Sequence, residues 1–345
     1  MSLFEVAARE IDTVSVHPNA DRLELATVKG LTFQFVVPKG SLKAGDHVVY
    51  FPIDSILPDA LATKMGVKNY LAGKLKDRVK TAKLRGCISQ GIVTTPEIAG
   101  LTNPEINKDY KDVLGVTKFE PPVVPCHAGN LLPLPSGVSS YDIEGADNFP
   151  DVVELLMDQL VYISEKLEGT NWSATKAADG KVFVSQHNYT IQEIPDKQHD
   201  FWAIARKQGL LTYLDLLAGR YPGQDVTIRG EMLGPGIQKN IYKLKETEVR
   251  LFDFEVGGHP AESLAFLSAA VHDGFKSVPM LSKDKTLREW LEGKSLQEAS
   301  NGKSVLADTI REGIVIKPMT EQRHPKIGRL MIKQRSPEYL AGSDF

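Results

Sequence analysis

The chain has 345 residues, 42% of them hydrophobic and 25% charged, with a formal net charge of −3. That balance fits two globular domains and excludes a fibrous, disordered or broadly cationic protein. No apolar run approaches the roughly 18 to 20 residues of a membrane span. Charged Glu5, Arg9 and Glu10 stand where a secretory signal would be apolar. Cys87 and Cys126 are the only cysteines, so neither a disulfide framework nor a cysteine zinc site is expected, and the chain reads as soluble and cytoplasmic.

In chain order, residues 5–16, 23–37 (broken at Lys29-Gly30), 47–52 and 78–94 are short stretches rich in Val, Thr, Ile and Phe, punctuated by Gly and Pro. They predict strands, and so many short strands within residues 1–119 predict a small barrel. The same region holds Lys74, Lys76, Arg78, Lys80, Lys83 and Arg85. In an extended segment Lys74, Lys76, Arg78 and Lys80 would share one face and could track phosphates; the alternative is a strand edge kept charged against aggregation. The patch is local, because residues 1–120 carry 16 Lys+Arg against 14 Asp+Glu.

Residues 120–146 contain Pro121-Pro122, Pro125, Pro133, Pro135, Ser136-Gly137 and Ser139-Ser140, a composition that predicts a linker. From 147 to 345 the patterns mix. Residues 197–218, 260–271 and 285–299 have helical spacing, whereas 159–165, 226–229, 249–256 and 313–317 read as strands, giving an α+β domain.

The strand predicted at 159–165 runs into Lys166-Leu167-Glu168-Gly169-Thr170-Asn171, a polar turn holding a cation, a carboxylate and a glycine. A KxxG tetrad alone says little, since Lys83-Leu84-Arg85-Gly86 is another. The first is set apart by the polar strand ends that follow it. Arg229-Gly230-Glu231 leads into Gly234-Pro235-Gly236; then come Phe252-Asp253-Phe254-Glu255, Glu312-Gly313-Ile314-Val315-Ile316-Lys317 and Leu330-Met331-Ile332-Lys333-Gln334-Arg335. Singly, each reads as a solvated strand end. In this order they resemble the motifs of the superfamily of covalent lysyl-AMP ligases and mRNA capping enzymes. Gly169-Thr170-Asn171 and the Gly-Glu before GPG resemble, more narrowly, ATP-dependent RNA ligases of the RNA ligase 2 type.

The N-terminal half adds to the likeness. His17-Pro18-Asn19-Ala20-Asp21-Arg22-Leu23 resembles tRNA-binding OB modules, and Lys83-Leu84-Arg85-Gly86 with Ser89-Gln90-Gly91 resembles the OB module upstream of one RNA ligase branch. The resemblance therefore implies an OB-like β-barrel followed by an α+β nucleotidyltransferase domain with antiparallel sheets. With only ten residues after Arg335, the C-terminal OB domain of DNA ligases and capping enzymes is not expected.

A lysine with its ordinary pKa of about 10.4 is only about 0.04% deprotonated at pH 7, so a nucleophilic lysine needs help. The resemblance implies that Lys166 attacks ATP, with Lys317 and Lys333 favouring its neutral amine by like-charge repulsion and neutralising phosphate charge. It implies that Glu165, Glu168, Gly169, Asn171, Glu231, Lys317, Lys333 and Arg335 surround the nucleotide, with Glu231 on the ribose. Phe252 or Phe254 would stack on adenine; strict alternation puts both on one face and leaves the choice open. Glu312 and Glu168 would hold Mg²⁺ or Mn²⁺.

The partner implied is nicked or structured RNA, with no membrane and no protein partner. One departure is visible: the segment 184–188 lacks the arginine usual in RNA ligases, and His187, Arg206 or Arg229 would have to replace it. Two alternatives to the ligase reading remain at this point, an RNA-binding protein with a degenerate nucleotidyltransferase domain and a GTP-using capping-type transferase.

Overall fold

The computed structural model describes residues 3–120, 131–138, 140–194, 200–261 and 263–342. They form two compact units, the first from Met1–Pro122, Glu144–Glu154 and Gln334–Phe345, the second from Val123–Ile143 and Leu155–Lys333.

The first unit is built on a five-stranded antiparallel sheet in the order Gln34–Pro38, Leu23–Val28, Ala7–Val16, His47–Phe51, Ile92–Thr94. Its outer strands are drawn together: the Gln90 amide donates to the Gln34 carbonyl at 2.8 Å and the Val36 amide to Ser89 Oγ at 3.0 Å. The sheet thus curls into a nearly closed OB-like barrel around Ile11, Ala26, Phe35, Val48 and Tyr50. Gly91 makes the closure possible. At φ 101° its Cβ position lies 2.6 Å from the Tyr50 ring, whose hydroxyl donates to the Gln90 carbonyl at 2.8 Å.

The basic segment is not the strand expected. Residues 72–78 form a turn with Lys76 at φ 50°. Arg78 is buried, its guanidinium 2.6 Å from Asp54 and 3.5 Å over the Phe119 ring. The four-cation row therefore breaks, because a turn has no common face and one of its cations is spent on a buried ion pair. Lys74 and Lys76 are exposed on the turn; Lys83 and Arg85 are exposed on the hairpin Ala82–Leu84/Cys87–Ser89; Lys80 is half-buried.

The linker reading also changes. Asp147 accepts from Thr32 Oγ1 at 2.6 Å and from Gln334 Nε2 at 2.7 Å, and the helix Pro337–Gly342 packs on the 82–89 hairpin. Residues 144–154 and 334–342 are thereby part of the barrel unit, so the second domain is not the continuous stretch 147–345. Leu131–Pro133 is an edge strand paired with Tyr189–Ile191. Pro121, Pro122, Pro125 and Ser139 lie outside the described residues, as do 197–199 at the start of the first helix expected in the second domain.

In the second unit, a seven-stranded antiparallel sheet runs Leu131–Pro133, Tyr189–Ile191, Val182–Ser185, Thr170–Lys176, Val226–Leu233, Glu248–Val256, His259–Pro260. Helices Asp200–Lys207, Leu210–Gly219 and Ser263–His272 contribute Phe201, Trp202, Leu214 and Phe266 to a core shared with Trp172, Ile228 and Phe254 of that sheet. Gly209 at φ 69° splits the first two helices, which the spacing alone joined. In the second sheet, Leu160–Lys166 lies between Gly313–Pro318 and Met280–Thr286, antiparallel to both. The helix expected over 285–299 is instead the end of that strand followed by Leu287–Leu291 and Leu296–Ser300. Each begins at a capping box, Thr286 with Glu289 and Ser295 with Glu298. Among the described residues no helix is long and apolar enough to cross a membrane.

Candidate active site

Lys166 is the last residue of the strand Leu160–Lys166, and Leu167–Gly169 carries the chain across to Thr170–Lys176, a central strand of the other sheet. The nucleophile expected from the sequence therefore stands where two sheets meet. Gly169 is what lets the crossing be tight: a Cβ there would lie 2.5 Å from the Met232 carbonyl and 2.7 Å from Glu231 Cγ. In the resulting register Asn171 pairs with Glu231, and Lys166 pairs with Gly313, the residue after Glu312.

A cavity of about 320 Å³ opens here, lined by Glu165, Lys166, Asn171, Glu231, Phe252, Lys317 and Lys333 from the expected set, and by Tyr141, Asp142, Tyr162 and His187. The volume is of the size that takes a small ligand. Lys166 Nζ is 2.7 Å from Glu312, and Lys317 Nζ is 2.8 Å from Asp253. Each lysine thus has its own carboxylate, in place of the like-charge pairing the sequence suggested.

Asp253 is fully buried and crowded with donors. Lys317, Tyr141 Oη, Ser263 Oγ and the Arg329 guanidinium all bond to it, and Arg329 Nε also reaches Glu321 at 2.8 Å. Burial alone would raise this carboxyl; the Lys317 and Arg329 cations overcome that and hold it well below the carboxylate range. Burial lowers the Lys317 ammonium despite the Asp253 charge. The Tyr141 ring rests on Phe252 with centroids 5.0 Å apart.

The two phenylalanines of the FDFE element part company. Arg229 pairs with Asp253 but Gly230 pairs with Leu251, so Phe252 is the extra residue of a β-bulge. The bulge puts Phe252 at the cavity and leaves Phe254 in the apolar core, stacked on Phe266 at 4.8 Å. Alternation, which assumes an unbroken ladder, could not separate them.

Other expected residues sit elsewhere. Glu168 is buried, accepts from the Lys239 amide at 2.7 Å and does not line the cavity. Arg335 falls in the other compact unit and is likewise not part of the lining. Arg229 is locked bidentate on Glu255 at 2.8 and 2.9 Å, and Arg206 pairs with Glu193 over the Trp202 ring, so neither fills the place of the missing arginine. His187 alone of the three lines the cavity, 3.3 Å from Asp142, and its bond holds that carboxyl well below the usual range. Tyr141 and Asp142 were not legible as site residues, because their segment is proline- and serine-rich.

Glu231 feels both members of the Lys166–Glu312 pair. Burial raises its carboxyl from an ordinary 4.5 to about 8, Lys166 opposing and Glu312 adding to the shift. The folded protein consequently holds a proton that the unfolded chain releases between these values, so this group's contribution to stability falls as pH rises through that window. Glu231→Gln keeps the neutral shape. The variant should gain stability relative to the parent between pH 5 and pH 9, by roughly 1–3 kcal/mol in urea unfolding; a constant difference across that range would remove the shift.

A strand-end lysine at the junction of two antiparallel sheets, in a chain that begins with an OB-like barrel, marks a nucleic-acid-joining type of enzyme. A family model described as RNA ligase matches residues 159–334, and a model of an OB-fold domain matches residues 5–96. The chain belongs to the RNA ligase family. Among solved structures it is similar to the Naegleria gruberi RNA ligase with PPi, at TM-score 0.80 and 25% identity over 98% of both chains. It is also similar to a mutant of that ligase with AMP and Mn, at TM-score 0.78 and 25% identity over 98% of each. A further mutant, with ATP and Mn, matches at TM-score 0.77 and 25% identity over 99% of this chain and 98% of the other. No curated protein matches the chain.

Proposed function

We propose that the protein is an ATP-dependent RNA ligase that joins a 3′-hydroxyl to a 5′-phosphate in nicked or structured RNA, acting in cytoplasmic RNA repair, with Lys166 as its covalent nucleophile. The observation that carries this reading is the convergence of Lys166, Lys317 and Lys333 with Glu231, Asn171 and Phe252 on one cavity. Lys166 attacks the α-phosphorus of ATP, forming a phosphoramidate and releasing pyrophosphate. AMP then passes to the RNA 5′-phosphate, and the 3′-hydroxyl displaces AMP to form the phosphodiester. Phe252 and Tyr141 offer aromatic faces to adenine, Glu231 and Asn171 offer polar groups to the ribose, and Lys317 and Lys333 set positive charge at the phosphates. Such transfer depends on in-line positioning and charge neutralisation, for which lysines and carboxylates suffice.

The donor set also fits a hard divalent cation. Glu312 faces the Lys166 ammonium, and Glu231 adds carboxyl oxygens beside it, although burial keeps that group protonated at neutral pH; the oxygen donors suit such an ion, and Glu312 supplies the charge. Among the described residues no group of three or more His, Cys, Asp or Glu could hold a metal ion. Mg²⁺ or Mn²⁺ would therefore lean on Glu312 and complete its shell with phosphate and water oxygens, as such ions do. When bound it supplies neutralisation of phosphate charge.

Incubation with α-labelled ATP or GTP, followed by a denaturing gel, tests the reading. Metal-dependent labelling by ATP and not GTP is expected, with sealing of a nicked RNA duplex; labelling by GTP alone would make the protein a capping-type transferase. The barrel is assigned the RNA, through Lys74, Lys76, Lys83 and Arg85. Lys83→Ala with Arg85→Gln should weaken RNA binding several-fold and flatten its log–log salt dependence by about 1 to 2, while labelling stays at the parental rate. An unchanged salt slope would assign the barrel a purely stabilising part.

A further inference from the structure

The loop 234–247 joins the strands Val226–Leu233 and Glu248–Val256. Its ends touch: Leu233 pairs with Glu248, and a Cβ on Gly234 would lie 2.7 Å from Thr247 Cα. This is an Ω-type loop, a class that packs on its own side chains and often carries function. Three of its non-glycine residues are left-handed, Gln238 at φ 47°, Asn240 at 48° and Lys243 at 53°. Such backbone persists only where its surroundings over-determine it.

The surroundings do so from the inside. Glu168 accepts from the Lys239 amide, and the Glu168 amide donates to Tyr242 Oη, both at 2.7 Å. Asn240 exchanges two 3.0 Å bonds with the Leu244 backbone. Ile241, Tyr242 and Leu244 join Leu167, Val278 and Phe252 in one apolar cluster. The inner face of the loop is thus fastened to the turn that follows Lys166. On the outer face, Lys243 and Lys245 alternate with Tyr242 and Leu244 and are exposed. Lys245 also lines a groove of about 580 Å³ with Arg206 and Lys207, where Glu246 is paired with Lys207 at 2.9 Å and Asp200 is the other acid.

A solvated loop surface has no need of strained, doubly anchored backbone beneath its cations. We propose that this loop binds the phosphodiester backbone of the RNA strand whose end is joined, through Lys243 and Lys245; the inference rests on the ligase reading. Charges held on a rigid platform lose little freedom when a polyanion settles on them, and the bonds from Glu168 fix that platform to the nucleophile's own turn.

The test uses the full chain with Lys243→Asn and Lys245→Gln together, Asn being chosen because it tolerates the left-handed backbone. Lys283→Gln with Lys285→Gln, on an exposed stretch of strand, removes the same net charge elsewhere. Binding of a 5′-phosphorylated RNA oligonucleotide is measured across a salt series. The loop variant is expected to bind about tenfold more weakly at low salt, with a log–log slope shallower by ~1.5. It should form lysyl-AMP at the parental rate, because neither residue lines the cavity. A parental slope, or an equal loss in the control variant, overturns the proposal. Absence of lysyl-AMP in the parent would overturn the ligase reading instead, while the salt series still reports on the loop.

Discussion

Lys166→Ala should abolish covalent labelling by α-labelled ATP, a loss of more than about a thousandfold, or ~4 kcal/mol of barrier. Among the described residues no other group at the cavity combines a nucleophilic nitrogen with a position at the crossing of the two sheets. Lys166→Arg separates chemistry from packing, because it keeps a cation for Glu312, which lies 2.7 Å from the lysine in the parent, and yet stays protonated. Both variants should fail to label, and Lys166→Arg should unfold at the parental urea concentration. Mapping of a persistent adduct to Lys83, in the second KxxG tetrad, would overturn the assignment.

The second large effect is on stability. Asp253→Asn removes the one charge that Lys317 and Arg329 share in a fully buried setting. Breaking a buried pair from one side leaves Lys317 without its carboxylate, while Arg329 keeps Glu321, at a cost of about 3–5 kcal/mol, which should appear as a clear drop in Tm or urea midpoint. The deficit should shrink as pH rises, because burial already lowers the Lys317 ammonium and its neutral form costs less to bury. A variant as stable as the parent would show that the network is not a true charge cluster.

Strand periodicity made the barrel legible, whereas the grouping of Lys166, Glu231, Lys317 and Lys333 came from the resemblance of their ordered motifs to known ligases, with Phe252 and Phe254 left undecided. What the sequence concealed has non-local causes. A single bulge reversed the relation of Phe252 and Phe254. The partner of Lys317 is a residue 64 positions earlier in the chain, Asp253, and no spacing rule links the two. Tyr141 was masked by the prolines around it, since composition describes a segment and not the residue it delivers. Arg78 looked like one more phosphate-seeking cation until its burial against Asp54 and Phe119 was known. The two capping boxes were different: Thr286 to Glu289 and Ser295 to Glu298 are readable from spacing alone and could have ended the preceding strand correctly.

The barrel unit draws its last elements from residues 334–342, more than two hundred positions after its strands end at Thr94 and Lys118. On a ribosome adding about 5–20 residues per second, the strands emerge early and then wait tens of seconds for Gln334 and the helix Pro337–Gly342. During that interval Asp147 lacks the Gln334 amide and the 82–89 hairpin lacks its covering helix. The nascent barrel is thus incompletely packed until translation has passed the ligase unit. Loss of residues 334–342 would leave Lys166 in place and injure the barrel, whose strands lie at the far end of the sequence.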